Sequence, residues 1–211
     1  MSAPLILQPG MRLYRAVLDA TEQRDVLRDV LAAASAAPFF KPTMPGTGKA
    51  FSVEMTNLGP LGWVSDRDGG YRYQAHHPIT AAPWPPIPTF LLRLWGQISG
   101  YPAPPEACLV NLYRGKARMG LHQDRDEAAL DAPVLSLSLG DDALFRFGGT
   151  ARGGPTRSVT LSSGDVVLFG GPARLAFHGI DCIKSGSSTL IPGGGRINLT
   201  LRRVAKNATP G

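Results

Sequence analysis

Residues 107–127, ACLVNLYRGKARMGLHQDRDE, and 132–149, APVLSLSLGDDALFRFGG, decide the fold. Both break into apolar runs of strand length at Gly- and Asp-containing turns, and VLSLSLG alternates large apolar with small residues at period two. Working outward, the same texture predicts strands at 108–113, 119–122, 134–139, 143–147, 156–161, 165–169, 175–179 and 196–204. Short strands at this density, separated by turn residues, build an antiparallel sandwich or small barrel. No internal repeat and no low-complexity segment interrupts them.

Upstream lie two helical patterns. Asp19 with Glu22 forms a capping box ahead of Val26, Leu27, Val30, Leu31 and Ala34, and Pro38 ends that helix. Phe90, Leu91, Leu94, Trp95 and Ile98 repeat at helical spacing, with Gly100 as the stop. Between them, 39–50 reads as a flexible basic loop, 51–57 as a strand, and Tyr71 and Tyr73 as one face of another. The expected organisation is an N-terminal extension with two helices through residue 106, a β core at 107–204 and a flexible tail at 205–211, in one compact unit.

Composition narrows the class. In 211 residues, 43% hydrophobic and 18% charged content fits one globular domain, and 25 glycines with 19 prolines favour strands and loops over a helical bundle. The net charge of +6 suits a polyanionic partner, although charge alone is a weak footprint. Cys108 and Cys182 are not spaced as a metal or redox pair and read as reduced, buried thiols of a cytoplasmic protein. The opening residues lack a basic segment and a long apolar core, so no secretory signal is expected. No apolar run reaches the ~20 residues of a membrane span.

Chemistry concentrates in two sets. His122 and Asp124 sit at i and i+2, on one face of a strand, and can reach one metal ion together. A distant His178 completes two imidazoles and a carboxylate, the facial set that leaves open positions on non-haem Fe(II) for oxygen chemistry. A zinc hydrolase can use the same ligands. An HxD pair by itself is commonly surface polarity, and His76 with His77 reads as a solvated loop. In the second set, Arg196, Asn198, Thr200 and Arg202 share one face of the last strand, with Asn111 and Tyr113 at matching spacing. Inward-facing cations and amides suit a bound dicarboxylate. The competing reading is a half-exposed strand with its arginines in solvent. Trp63, Tyr71 and Tyr73, near Met55 and surrounded by Lys and Arg, suit bases splayed out of a nucleic-acid strand, against ordinary core for a lone tryptophan.

Ordered segments carry a resemblance over about Met44 to Arg203: MTNLGPLGW (55–63), PWPPIP (83–88), the two stretches quoted first, SGDVVLFGG (163–171), RLAFHGI (174–180) and GRINLTLR (195–202). Together they resemble the AlkB-type Fe(II)/2-oxoglutarate dioxygenases. The resemblance implies a mostly β fold with flanking helices, a double-stranded β-helix or jelly roll, preceded by a nucleotide-recognition lid. It implies Fe(II) on His122, Asp124 and His178, with 2-oxoglutarate and O2 as cosubstrates. Arg196 would take the distal carboxylate of 2-oxoglutarate and Arg202 would lie near its metal-bound end, with Asn111, Tyr113 and Asn198 as further contacts. Trp63 would stack a flipped base against His122, and Asp126 would lie near the base's exocyclic nitrogen. Met55, Tyr71 and Leu109 match other pocket positions, and Arg118, Gln123 and Arg152 match positions contacting the nucleic-acid backbone. The implied reaction hydroxylates the N-methyl group of lesions such as 1-methyladenine and 3-methylcytosine and releases formaldehyde, succinate and CO2. The implied partner is alkylated DNA, or RNA, with no membrane and a monomeric enzyme. The competing functions are an oxygenase of the same chemistry acting on a protein or small molecule, and a non-enzymatic binding module on a jelly-roll scaffold.

Overall fold

A computed structural model of the chain describes residues 3–206. Its larger sheet has seven strands in the order β1 (Leu5–Gln8), β2 (Met11–Tyr14), β11 (Val166–Phe169), β8 (Val134–Gly140), β13 (Arg196–Arg202), β6 (Ala107–Tyr113) and β3 (Glu54–Leu58). All its pairings are antiparallel. Strand β13 lies between β8 and β6, and all seven of its residues are buried. One face carries Ile197, Leu199 and Leu201, which pack with Leu135, Leu137, Leu139, Cys108, Val110 and Leu112 against two helices. Each such fully buried aliphatic side chain contributes about 1.5–3 kcal/mol. The alternate face carries Arg196, Asn198, Thr200 and Arg202 and looks into the space between the sheets. The period-two alternation therefore sorts a helix-backed core from a functional cavity.

The smaller sheet runs β10 (Thr156–Leu161), β9 (Asp142–Gly148), β12 (His178–Lys184), β7 (Met119–His122). It faces the larger sheet across Leu13, Val134, Val167, Phe169, Phe145 and Phe147. This is the expected mostly β jelly roll with flanking helices. Two strands of the β core differ from the sequence reading by more than one residue, and upstream the strand expected at 51–57 runs from Glu54 to Leu58. The strand predicted at 175–179 starts at His178 and continues to Lys184. A register shift between Ile180 and Cys182 lets Ile180 and Ile183 both turn inward, which erases the period-two signal there. Residues 175–177 follow a short 3-10 turn, Gly171–Ala173, instead. The last strand ends at Arg202, because the Val204 carbonyl leaves the ladder to accept from the amides of Ala128 and Ala129. The predicted tail at 205–211 lies outside the described residues from 207 onward.

Helix α1 (Ala20–Ala36) opens on the predicted capping box: the Asp19 carboxylate accepts from the amides of Thr21 and Glu22, and Glu22 accepts from the Asp19 amide. Replacing Asp19 with alanine is expected to lower unfolding stability by about 1 kcal/mol, read as a reduced denaturation midpoint at unchanged slope. Its buried stripe is Val26, Leu27 and Val30, narrower than predicted, since Leu31 is exposed. Helix α2 (Thr89–Ser99) buries Leu91, Leu94, Trp95 and Ile98 and stops at Gly100, whose φ of 63° suits glycine.

A separate hairpin, β4 (Gly62–Asp66) and β5 (Gly70–Gln74), stands on a small cluster of Ala37, Phe40, Val64 and Trp84. His77 belongs to this cluster and not to a solvated loop. It is 2% exposed, one ring nitrogen meets the Pro38 carbonyl at 2.8 Å, and the other accepts from the amides of Ile79 and Thr80. Neighbouring His76 is exposed. The 39–50 segment is pinned rather than loose, through bridges of Phe40 with Met55 and Thr43 with Ala50. The cysteines also divide. Cys108 is buried, which pushes its thiol up to about 12, whereas Cys182 is exposed. No helix among the described residues is long and apolar enough to cross a membrane.

Candidate active site

The two sheets enclose a cavity of about 370 Å³. At one wall, β7 ends on His122 and β12 begins on His178, and the two are direct cross-strand partners. Their rings lie 4.5 Å apart. Gly179 makes this crossing close: a side chain there would sit 2.5 Å from the Met119 carbonyl. Asp124, just beyond β7, brings its carboxylate 3.5 Å from His122 Nε2 and 3.9 Å from His178 Nε2. Ligand atoms of all three lie within 4.8 Å of one another. Nδ1 of His122 meets the Gly120 carbonyl at 2.9 Å, and Nδ1 of His178 meets the Ala176 carbonyl at 3.0 Å. A carbonyl can only accept, so both Nδ1 atoms carry a proton, and both Nε2 atoms are turned toward the shared point.

The electrostatics differ between the two histidines: burial disfavours a charged His122, but its contact with Asp124 outweighs this and raises it above the ordinary imidazole value, so a metal would displace a proton there. Burial drives the His178 imidazole down to about 4, and the charge of His122 adds to the effect. Burial disfavours the Asp124 carboxylate, but the Arg202 guanidinium and the two imidazoles outweigh it and hold Asp124 well below its usual range. Arg202 Nη2 approaches Asp124 Oδ2 at 2.8 Å, yet off the axis a directed hydrogen bond needs, so that oxygen gains charge stabilisation and keeps a free lone pair. A neutral imidazole and an ionised carboxylate are the states a metal requires.

The cosubstrate set faces the same cavity. Cross-strand register places Arg196 opposite Tyr113 and Asn198 opposite Asn111. Arg196 is 1% exposed, so the reading of solvated arginines does not hold. Its Nη2 donates to Ser138 Oγ at 3.0 Å and its guanidinium carbon lies 5.3 Å from the centre of the Tyr113 ring. Its Nε and Nη1 have no partner, and no carboxylate among the described residues pairs with it. The Asn111 side-chain oxygen is likewise buried without a partner. Asn198 is held by Ser136 Oγ at 2.7 Å and the Leu137 carbonyl at 3.1 Å.

At the mouth, Trp63 stacks on Tyr71 with centroids 5.5 Å apart and donates from its indole nitrogen to Asp126 Oδ2 at 2.8 Å. Met55, Leu109, Gln123 and Arg152 also line the cavity. The Gln123 amide donates to the carbonyls of Thr150 and Leu175, and Arg152 lies over the Phe177 ring. Arg118 is exposed and outside the cavity lining, on a segment held by Ser52. Sequence reasoning missed Ser136, Ser138, Glu127 and Arg174. Buried Arg174 pairs with Glu127 at 2.9 Å and also donates to the backbone carbonyls of Asp124 and Ala132. Its nearness to His178, four positions on, was the available signal.

The 2OG-Fe(II) oxygenase superfamily matches the chain over residues 10–202. A Caulobacter vibrioides (strain NA1000 / CB15N) protein named alpha-ketoglutarate-dependent dioxygenase AlkB homolog is 56% identical over 204 residues, spanning 97% of this chain and 92% of its own. The Escherichia coli (strain K12) alpha-ketoglutarate-dependent dioxygenase AlkB is 43% identical over 198 residues, spanning 92% and 89%. Among solved structures, OsALKBH1 is similar with a TM-score of 0.84 at 30% identity, covering 95% of this chain and 100% of that one.

Proposed function

Since the chain belongs to the 2OG-Fe(II) oxygenase superfamily, among its AlkB-type members, we infer that it is an Fe(II)/2-oxoglutarate-dependent dioxygenase that repairs nucleic acids by oxidative dealkylation. The observation that carries the reading is Arg196, a buried cation with two free donors, in the same cavity as His122, Asp124 and His178. An unpaired buried charge is costly, and a dicarboxylate with one end on the guanidinium and the other toward the metal relieves that cost.

His122, Asp124 and His178 would hold the iron, which fits their converging Nε2 atoms and their single carboxylate. Iron with 2-oxoglutarate and O2 supplies the oxidising equivalent that hydroxylates an N-alkyl group. The chain's own residues do the rest. Arg196 clamps the far carboxylate, with Tyr113, Asn111 and Asn198 fixing the cosubstrate beside it. Arg202 keeps Asp124 ionised and lies beside the metal-bound end. Met55, Leu109 and Phe145 give the cavity apolar walls, which would shield the reacting centre from water. A base must leave its stack to reach so enclosed a site, and a methylated base that pairs badly costs less to extrude. Trp63 would receive its face opposite His122, and a cationic ring such as 1-methyladenine or 3-methylcytosine suits both Trp63 and Asp126. Arg118, Gln123 and Arg152 would follow the flanking backbone, Gln123 by giving up a present carbonyl contact. Both the metal set and the carboxylate clamp lie within one chain, which supports a monomer. The two unpaired cysteines suit the cytoplasm.

The test is mass spectrometry of an oligonucleotide carrying 1-methyladenine, incubated with protein, Fe(II), 2-oxoglutarate and ascorbate. Loss of one methylene mass, dependent on 2-oxoglutarate and matched by formaldehyde, is expected. Succinate formation with an unchanged oligonucleotide would instead favour a protein or small-molecule substrate. Trp63→Ala is expected to raise KM for the oligonucleotide about tenfold, the equivalent of one lost stacking contact. The KM for 2-oxoglutarate should stay put, since Trp63 lies at the mouth and not in the cosubstrate set.

A further inference from the structure

One short loop holds both the metal-binding carboxylate and the attachments of the β4–β5 hairpin. Asp124 faces the two histidines, Asp126 accepts from Trp63 of β4, and Glu127 accepts from the Tyr73 hydroxyl of β5. Trp63 and Tyr73 are direct cross-strand partners. Behind the loop, Arg202 Nη2 lies 2.8 Å from Asp124 Oδ2, while its Nη1 donates to the Tyr73 hydroxyl at 3.1 Å and lies 3.6 Å from Glu127 Oε1. Glu127 is fixed from its other side by Arg174. Arg202 joins the two sides: it is buried, it meets Asp124, Glu127 and Tyr73, and its Nε has no partner.

We propose that Tyr73 is a positioning residue that latches the β4–β5 hairpin to the metal-binding carboxylate through Arg202, so that metal occupancy at Asp124 and ordering of the hairpin favour each other. The inference rests on the reading of Asp124 as a metal ligand. Two guanidiniums and two carboxylates balance in this buried group while Asp124 serves Arg202. A divalent cation on Asp124 takes a share of that carboxylate's charge and weakens its hold on Arg202. Among the described residues the remaining acceptors of Arg202 are the Tyr73 hydroxyl and Glu127, and a stronger bond to the hydroxyl draws the hairpin onto the loop. Linkage is reciprocal, so a ligand that settles the hairpin stabilises the loaded metal site by the same factor. Trp63, directly across from Tyr73, carries the effect to the mouth where the base would bind.

The experiment is hydrogen–deuterium exchange of peptides covering residues 62–74 in the full chain, with and without Mn(II), for the wild type and Tyr73→Phe. Mn(II) binding is followed in parallel by its paramagnetic resonance signal. In the wild type, loading is expected to slow hairpin exchange about fivefold or more. In Tyr73→Phe, Mn(II) still binds but the ratio between loaded and free states falls toward one. A variant whose hairpin exchanges faster in both states, with the ratio kept, overturns the latch and leaves Tyr73 a structural contact. Mn(II) binding without any change in wild-type protection also overturns it. Failure of the wild type to bind Mn(II) removes the metal reading and the latch together. None of these outcomes depends on oligonucleotide turnover, which the demethylation assay judges separately.

Discussion

Replacing Asp124 with asparagine is expected to abolish turnover and to weaken Mn(II) binding by at least about a hundredfold, while the chain stays folded. Disturbing a group that merely orients a ligand costs about 10–100-fold in metal affinity, and removing the one anionic ligand should cost no less. The substitution keeps the side chain's shape, so the cross-strand pair of His122 and His178 survives. What changes is charge. The two imidazoles are neutral donors, and Asp124 alone offsets the incoming cation. Without it, Arg202 faces the metal from 2.8 Å behind that position with only Glu127, at 3.6 Å, left as a carboxylate partner. Removing one member of a buried ion pair costs up to about 3–5 kcal/mol, but Arg202 retains Glu127 and Tyr73, so the stability loss should fall below that range. Resonance titration with Mn(II), beside a thermal melt of the metal-free protein, separates the two effects. Unaltered Mn(II) affinity would remove Asp124 from the ligand set.

Most of each candidate set was legible because it is local, His178 alone entering from another strand. Arg196 with Asn198, Thr200 and Arg202 follow the period-two rule within one strand, and that rule also separates Ile197, Leu199 and Leu201 into the helix-backed core; His122 and Asp124 keep the two-residue spacing, but Asp124 lies past the end of β7 and not on the strand expected to carry both. What escaped is what the period does not encode. Strand β12 breaks its alternation at a bulge, so its limits were misplaced. His77 is buried by a loop that folds back on Phe40 and Trp84, an outcome set by tertiary packing. The Tyr73, Glu127, Arg202 and Arg174 group joins positions up to 129 apart in the chain, and a lone Glu or Arg in a turn gives no sign of such partners. The unpaired state of Arg196 was likewise invisible: the spacing fixes its face, whereas the absence of a carboxylate around it is a property of the assembled cavity.

That absence yields a prediction with two opposite signs. Arg196→Met is expected to stabilise the ligand-free protein while raising KM for 2-oxoglutarate on the order of a hundredfold or more. In the free protein the guanidinium is 1% exposed, touches Ser138 Oγ and the face of Tyr113, and leaves Nε and Nη1 without acceptors. Burial accordingly lowers its pKa from the usual arginine value, with the nearby Tyr113 phenol only partly opposing the shift. An apolar side chain of similar length fills the space without that desolvation cost, and exchanges of this kind are neutral or stabilising by about 1–4 kcal/mol. Binding moves the other way. Truncating one partner of a buried charge pair costs about 2–5 kcal/mol, and each 1.4 kcal/mol is tenfold in affinity. Thermal melts with and without 2-oxoglutarate, in the presence of Mn(II), read both signs at once. For the wild type, cosubstrate at about a hundred times its Kd should add about 2.7 kcal/mol. In the variant the baseline melt should rise and this increment should vanish. Were Arg196 a structural strut for Ser138 and Tyr113, the baseline would fall and the increment would persist. The sign of the baseline shift therefore separates a residue kept for folding from one kept, against folding, to meet an anion.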